Sequence, residues 1–316
     1  MKRDQDRMKQ DVLQPGGLPY QAAQEKLLQL GDIHIRDPFV YADKDAGFYY
    51  MYGTMGVTSW GGAAIGFDGY RSRDLHHWEG PFPVFRKPEG FWADHHFWAP
   101  EVHYYEGGYY MFASFKAEGK CRGTQILKAD APLGPFVPMG EGPVTPADWE
   151  CLDGTLYTDE HGDPWMIFCH EWTQVGNGEM CTMRLAADLS EPASDPLVLF
   201  RAADAHWPVE EEGPGNFVTD GPFLYQAPDG KLLMIWSSHG KDGYAIGIAR
   251  SESGSITGPW VQEREQLFEK NGGHGMLFRT FEGQLLVSLH LPNTHPYERP
   301  AFFKTAYQAG RLMLMS

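Results

Sequence analysis

The sequence predicts an all-β protein assembled from five similar sheets, and three observations carry this prediction. The 316 residues include 37 Gly and 23 Pro, which requires many turns and therefore many short strands. Aromatic residues make up 14% of the chain, as is common in β cores and in sites that stack against sugar rings. Finally, one hairpin plan recurs five times along the chain.

Each repeat begins at a polar residue, passes a small residue or proline, and continues as an apolar strand, a turn and a second apolar strand. Successive lead residues are 64, 52, 67 and 54 positions apart, which leaves room for the four short strands of one propeller blade. We therefore predict a single five-bladed β-propeller over residues 31–316, with a short N-terminal extension over residues 1–30. The lead residues are Asp37, Glu101, Asp153, Asp220 and His274, with Glu101 two residues into its segment.

The outer strands of the blades can also be recognised. Gly123–Ala129 and Tyr244–Arg250 match as third strands, and a Gly-Pro-aromatic triplet follows each of them. A third triplet, Gly80-Pro81-Phe82, has the same place in the first repeat. A β-sandwich has equally short strands, but it does not predict five similar hairpins at this period.

The two ends of the chain lie outside the five hairpins, and each has its own predicted structure. Residues Ala22 to Leu30 are predicted to form a short helix, with Leu27, Leu28 and Leu30 facing the body of the protein. The tail from Arg299 to Met315 supplies the last outer strands. A strand from residue 31 onward is a candidate for closing the ring.

Charge and cysteine usage restrict the partners and the compartment. The formal net charge is −16, so nucleic acid and anionic membranes are poor partners, whereas a neutral oligosaccharide is not repelled. No segment is long and apolar enough for a membrane span, and no apolar run follows the first seven residues. The four cysteines lack metal-site spacing and are expected to be reduced. We therefore expect a cytoplasmic protein, or a secreted one if a leader peptide has been removed.

The lead residues of the repeats are candidates for chemistry. In a propeller the innermost strands surround one axis, so equivalent positions at their starts meet at one end of the channel. Asp37, Asp153 and Asp220 are assigned to the same phase of the repeat. Carboxylates crowded in a partly desolvated funnel shift one another's pKa values, and glycosidic hydrolysis needs one acid and one base. The alternative for each aspartate alone is a turn-capping role.

Four segments in this order resemble glycoside hydrolase family 43, a family of five-bladed propellers that includes arabinofuranosidases, xylosidases and arabinanases. The resemblance covers about residue 31 to the C-terminus. The segments are Ile35-Arg36-Asp37-Pro38-Phe39, Phe97-Trp98-Ala99-Pro100-Glu101-Val102, Leu152-Asp153-Gly154-Thr155-Leu156 and Thr219-Asp220-Gly221-Pro222-Phe223.

The resemblance implies inverting hydrolysis by three acidic residues. Asp37 matches the general base, and Asp153 matches the carboxylate that orients the acid and raises its pKa. The general acid of the family is normally a Glu in a Glu-Gly-Pro segment, where this sequence has Asp220, one methylene shorter. Glu171 is the second candidate for the acid, with a salt bridge or a substrate contact as its alternative role. Glu212 ranks last, because it precedes the fourth inner strand.

Further residues are assigned around these carboxylates. Phe97 and Trp98 are expected to form an aromatic wall for a sugar ring, with ordinary packing as the alternative. Arg299 is assigned to substrate hydroxyls or a carboxylate, with a surface ion pair as the alternative. The substrate-binding assignment also includes Glu101 and Trp172. His274 matches a family histidine that holds an axial Ca²⁺ through water, with a buried core histidine as the alternative.

We therefore expect a glycosidase with an oligosaccharide substrate and no required cofactor. A structural Ca²⁺ on the propeller axis is the one bound ion that the resemblance suggests. Exo action on α-L-arabinofuranosides or β-D-xylosides is favoured, and β-D-galactofuranosides remain open. The alternative is a carbohydrate-binding propeller that has lost catalysis, which the Asp220 departure favours.

Overall fold

The computed structural model describes residues 27–315, which form five four-stranded antiparallel sheets arranged as a five-bladed β-propeller. The predicted fold is confirmed. The first blade contains β1 (Ile35–Asp43), β2 (Phe48–Met55), β3 (Gly66–Ser72) and β4 (Trp78–Arg86). The second blade contains β5 (His95–Tyr105), β6 (Gly108–Lys116), β7 (Gly123–Ala129) and β8 (Val137–Pro138).

The other three blades repeat this plan, each with consecutive strands running from the axis outward. The third blade contains β9 (Cys151–Thr158), β10 (Pro164–His170), β11 (Glu179–Arg184) and β12 (Leu197–Arg201). The fourth contains β13 (Asp220–Gln226), β14 (Leu232–Gly240), β15 (Gly243–Ser251) and β16 (Trp260–Gln262). The fifth contains β17 (Gly273–Arg279), β18 (Leu285–Leu291), β19 (Arg299–Gln308) and β20 (Arg311–Leu314).

Helices are short. The α-helix α1 spans Trp172–Val175, and three 3₁₀ turns span Leu30–Asp32, Gly56–Thr58 and Ala202–Asp204. Within residues 27–315, no helix has the length and apolar character that crossing a membrane requires.

The second strands of the blades are buried on both faces. Met51 and Tyr52 are adjacent on β2 and both are fully buried, and Ile235 and Trp236 on β14 behave in the same way. Each sheet packs between two neighbouring sheets, so both faces of the strand lie against apolar side chains. This packing explains why these strands are continuous apolar runs in the sequence. The core accordingly consists of apolar clusters between blades.

Every innermost strand carries a β-bulge near its start, where two residues lie opposite one residue of the second strand. The first bulge residue has a positive φ angle in all five blades, between 46° and 57°. These residues are Asp37, Ala99, Asp153, Gly221 and His274.

The bulges correct the assumed phase of the repeat. Asp37, Asp153 and His274 are equivalent, but Asp220 precedes its bulge by one residue. Glu101 follows its bulge residue, Ala99, by two residues, in agreement with its predicted place two residues into its segment. In the sequence alone, Asp220 aligns with Asp37 because both begin an apolar segment. Only the strand pairing reveals the offset of one residue.

Backbone groups at the bulges link neighbouring blades. The N–H of Ala99 donates to Thr54 Oγ1 at 2.7 Å, that of Asp153 to Ser114 Oγ at 2.9 Å, and that of His274 to Ser237 Oγ at 2.8 Å. Each acceptor lies on the second strand of the preceding blade. These bonds satisfy buried donors and fix the blades around the axis.

Within residues 27–315 the ring closes without exchange of a strand, contrary to the prediction that a strand from residue 31 onward completes the last blade. All four strands of the fifth blade follow one another, and β1 lies in the first blade. Closure uses packing and hydrogen bonds: the Asp37 N–H donates to His290 Nδ1 at 3.2 Å, and Ser288 Oγ donates to the Pro38 carbonyl at 2.8 Å. The predicted outer strands from Arg299 to Met315 are present as β19 and β20.

The described part of the extension lies along the outer edge of the first blade. Leu28 and Trp78 exchange two backbone hydrogen bonds of 2.8 Å, so Leu28 is extended. The predicted helix over Ala22–Leu30 is therefore absent over residues 27–29, while residues 22–26 lie outside the described residues. Leu28 and Leu30 pack against the core as expected, whereas Leu27 is exposed.

Candidate active site

The inner strands of all five blades, β15 and the loop after β2 meet at a pocket on the propeller axis, with a volume of about 60 Å³. The three aspartates expected to meet all line it. The pocket residues are Arg36, Asp37, Trp60, Trp98, Leu152, Asp153, Asp220, Tyr244 and His274. Two larger cavities, one between the second and third blades and one beside the loop after β6, contain none of these carboxylates.

Asp37 is held as a carboxylate. Burial alone would raise its pKa, but the nearby charges of His274 and Arg36 hold the pKa of Asp37 well below its ordinary value. Thr54 Oγ1 also donates to Asp37 Oδ2. The group is therefore ionised at any physiological pH and can accept a proton from water.

Asp153 has the opposite protonation tendency. Burial raises its pKa to about 7, and the charges of Asp220 and Asp37 act in the same direction against His274. Its Oδ2 accepts the Gly221 N–H at 2.9 Å. In the links through Thr54, Ser114 and Ser237, a hydroxyl accepts the bulge N–H of the next blade. Between the third and fourth blades, the acceptor is the carboxylate of Asp153 itself. Asp153 therefore contacts the backbone directly beside Asp220.

Gly221 is required at this position for a steric reason. Its φ angle is 48°, and a Cβ atom there would lie 2.8 Å from ring atoms of His274. Any larger residue would push His274 away from Asp37 and Asp153, so the glycine permits the close approach of the two blades.

Asp220 is the third carboxyl group of the pocket. Burial raises its pKa above the ordinary value, although the hydrogen bond from Tyr244 lowers it in part. Tyr244 donates its hydroxyl proton to Asp220 Oδ2 at 2.7 Å. An acid with a raised pKa beside an ionised base is the arrangement that acid–base hydrolysis requires.

His274 lies between the carboxylates, with Nδ1 3.4 Å from Asp37 Oδ1 and 3.6 Å from Asp153 Oδ2. Burial lowers its pKa, but the charges of Asp37 and Asp153 outweigh this effect and raise it. Its Nε2 has no hydrogen-bond partner among residues 27–315, so this nitrogen suits a calcium-bound water. The calcium assignment stays a prediction.

Two tryptophans form one wall of the pocket. Trp98 donates its indole N–H to the Ser59 carbonyl at 2.6 Å, and Trp60 packs edge-on against it at 5.4 Å between ring centroids. Arg122 lies over the Trp98 ring at 3.8 Å. Phe97 does not reach the pocket, because it is buried between the first two blades, among aromatic rings that include Phe115.

Glu171 lies outside the pocket lining, behind Arg122, which contacts Trp98 in the pocket wall. It is buried and forms an ion pair with Arg122 at 3.3 Å. Burial raises its pKa despite the Arg122 charge, which lowers it. Glu171 does not line the axial pocket, whereas Asp220 does.

The structure places the remaining predicted residues outside the pocket lining. Glu101 is buried below it and contacts His103 Nε2 at 3.2 Å. Trp172 begins α1 and is half-buried. Arg299 donates to the carbonyls of Gly31 and Glu298, at 3.0 and 2.7 Å, so its guanidinium is bound to backbone.

Several pocket residues were not predicted. Arg36 stands next to Asp37 in the first motif, and Tyr244 begins a recognised third strand, but nothing in their spacing indicates that they reach the axis. Trp60 lies in the loop between β2 and β3. His290 does not line the pocket but contacts Asp37, and it could have been found as a polar residue within the apolar run of β18.

A Tyr244→Phe substitution is expected to move the alkaline limb of the kcat/KM profile to higher pH by about one unit. The Tyr244 hydroxyl favours the ionised form of Asp220, so its removal raises the pKa of the Asp153–Asp220 pair. Activity requires the protonated acid, and the raised pKa keeps the acid protonated to higher pH. Tyr297→Phe, at an exposed site, is the control. An unchanged limb or a shift to lower pH would contradict this assignment.

Comparisons with known proteins agree with this geometry. The family model described as glycosyl hydrolases family 43 matches residues 32–311. An extracellular exo-α-(1→5)-L-arabinofuranosidase of Cellvibrio japonicus is 24% identical over 263 residues, covering 76% of this chain and 70% of that protein. An extracellular endo-α-(1→5)-L-arabinanase of Bacillus subtilis is 23% identical, covering 73% and 69%.

A crystal structure described as an endo-arabinase from Bacteroides thetaiotaomicron superposes with a TM-score of 0.83. It is 41% identical, and the alignment covers 90% of this chain and 98% of that one.

Proposed function

Because this chain belongs to glycosyl hydrolase family 43, it hydrolyses glycosidic bonds, and we propose that its substrates are α-1,5-linked L-arabinofuranosyl chains. The observation that carries the proposal is the axial pocket, with an ionised Asp37 and a protonatable Asp220 in one lining. The sugar is inferred from the three relatives, whose names all specify arabinan-type substrates or arabinofuranosides. Family membership argues against a propeller that only binds carbohydrate.

The proposed mechanism is a single inverting displacement. Asp37 accepts a proton from a water molecule, whose oxygen attacks the anomeric carbon. Asp220 donates its proton to the departing glycosidic oxygen as the C–O bond breaks. Each turnover leaves Asp37 protonated and Asp220 ionised, and exchange with solvent restores both groups.

Asp153 assists without touching the reacting bond. Its charge raises the pKa of the acid when it is ionised, and its hydrogen bond with the Gly221 N–H holds the backbone next to Asp220. The two tryptophans offer apolar faces for the sugar rings beside the carboxylates.

Debranched α-1,5-arabinan and α-1,5-arabino-oligosaccharides are the substrates that test this proposal. We expect release of arabinose or short oligomers from both, with the first-formed anomer inverted in a proton NMR time course. Xylan and xylo-oligosaccharides serve as the comparison, and faster turnover of these would contradict the assigned sugar. Loss of viscosity early in arabinan digestion would indicate internal cleavage, while arabinose as the first product would support the exo action predicted from the sequence.

A further inference from the structure

We propose that His34, His295 and Glu298 form a binding site for Zn²⁺, separate from the catalytic pocket. His34 precedes β1, whereas His295 and Glu298 lie in the segment between β18 and β19. Closure of the ring therefore brings together side chains from the two ends of the chain. Two imidazoles and one carboxylate are a ligand set that zinc uses in proteins, usually with water in the fourth position.

Two of the three distances between ligand atoms are close to those around a tetrahedral ion. Glu298 Oε2 lies 3.4 Å from His34 Nε2 and 3.7 Å from His295 Nδ1, and the three ligand atoms are all within 4.8 Å of one another. Zinc bonds of about 2.0–2.1 Å at tetrahedral angles place neighbouring ligand atoms about 3.4 Å apart. Small side-chain rotations would bring all three atoms to one ion.

Glu298 is suited to the role of anionic ligand. Its side chain is fully buried, and Oε1 accepts a hydrogen bond from Arg36 Nη1 at 2.9 Å. This contact orients the carboxylate and leaves Oε2 facing the two imidazoles. A second group that fixes a metal-ligating carboxylate is a common feature of protein metal sites.

One histidine is held in place by packing, and the other is open to solvent. His34 packs so closely against Gly56 that a Cβ atom there would lie 2.3 Å from the ring, and only 22% of the His34 side chain is exposed. His295 is 43% exposed, so an ion can enter from solvent. The centroids of the His34 and His295 rings are 5.9 Å apart.

The positive charge of Arg36 opposes a cation, but two features reduce this cost. Arg36 uses the other oxygen of Glu298, and the ionised Asp37 lies next to Arg36 in the pocket. Because Arg36 also lines the catalytic pocket, an ion on Glu298 would be coupled to the active site through this one side chain.

Zinc titration of the purified full-length protein tests the proposal, with metal-free protein prepared by chelation. We expect isothermal titration to show one tight equivalent of Zn²⁺, and the melting temperature to rise by about 5 °C at a zinc concentration 100 times Kd. His295→Ala should lower the affinity for this zinc ion at least about 100-fold. The matched control is His161→Ala, a surface histidine whose side chain is 76% exposed. It should bind zinc like the unmodified protein.

Equal zinc affinity in His295→Ala and His161→Ala, or no stoichiometric binding by the unmodified protein, would overturn the site. Should His295→Ala fail to fold, His34→Asn provides the second ligand variant, compared by melting in chelator. Co²⁺ should also give the visible absorption bands of a tetrahedral site, and these should be lost in either ligand variant. None of these measurements depends on glycosidase activity, so they are independent of the proposed substrate.

Discussion

An Asp37→Asn variant is expected to lose about 10³- to 10⁴-fold in kcat on arabino-oligosaccharides, with little change in melting temperature. The amide has nearly the same shape as the carboxylate and can still accept the hydrogen bond from Thr54, but it cannot take a proton from water. The matched control is Asp45→Asn in the exposed turn between β1 and β2, which should retain full activity. A variant at position 37 that retained a tenth of the activity would contradict the general-base role.

Azide separates a base from a residue that is only structural. In Asp37→Ala, azide can enter the vacated space and attack the anomeric carbon without deprotonation, so an activated aryl glycoside should be converted to a glycosyl azide of inverted configuration. Product NMR identifies the anomer. Restored turnover with retained configuration would instead place the nucleophile on the enzyme and exclude the inverting mechanism.

The identity of the acid has the second large expected effect. Asp220→Asn should lower kcat/KM on arabino-oligosaccharides by about 10²- to 10⁴-fold, because the departing sugar oxygen needs a proton. The loss should be far smaller on an aryl arabinofuranoside whose phenol leaves as a stable anion. This dependence on the leaving group is specific to loss of the acid.

Glu171→Gln provides the comparison, since Glu171 is buried beside Arg122 but does not line the pocket. We expect a modest loss of similar size on both substrates, through displacement of Arg122 and Trp98. The reverse pattern, with leaving-group dependence at Glu171 and not at Asp220, would transfer the acid role to Glu171. Asp220→Glu adds the missing methylene, and its activity shows whether the shorter acid is matched to this pocket.

Much of the fold was predictable because its signals are local. Strands buried on both faces are continuous apolar runs, such as Leu233 to Trp236, and turn residues separate them. Five such hairpins at a similar spacing indicate five blades before any contact is known. Asp37 and Asp153 were predictable as pocket residues for the same reason, since they begin equivalent inner strands.

The register of the site was not predictable in this way. Asp220 lies one residue before its bulge, an offset from Asp37 and Asp153 that depends on strand pairing. Phe97 and Trp98 are adjacent and chemically similar, yet one packs between blades and the other lines the pocket. Alternation along a strand permits both orientations, and the neighbouring blade determines which face is the core.

The sequence by itself thus determined the repeated blades and the two aspartates that begin equivalent strands. Only the tertiary structure decided which groups surround them: His290 meets Asp37 across 253 residues, and Glu298 meets Arg36 across 262. Tyr244 reaches Asp220 from the third strand of its blade. The physical reason is that hairpins follow from residues close in sequence, whereas these contacts arise only from how the strands pack and how the ring closes.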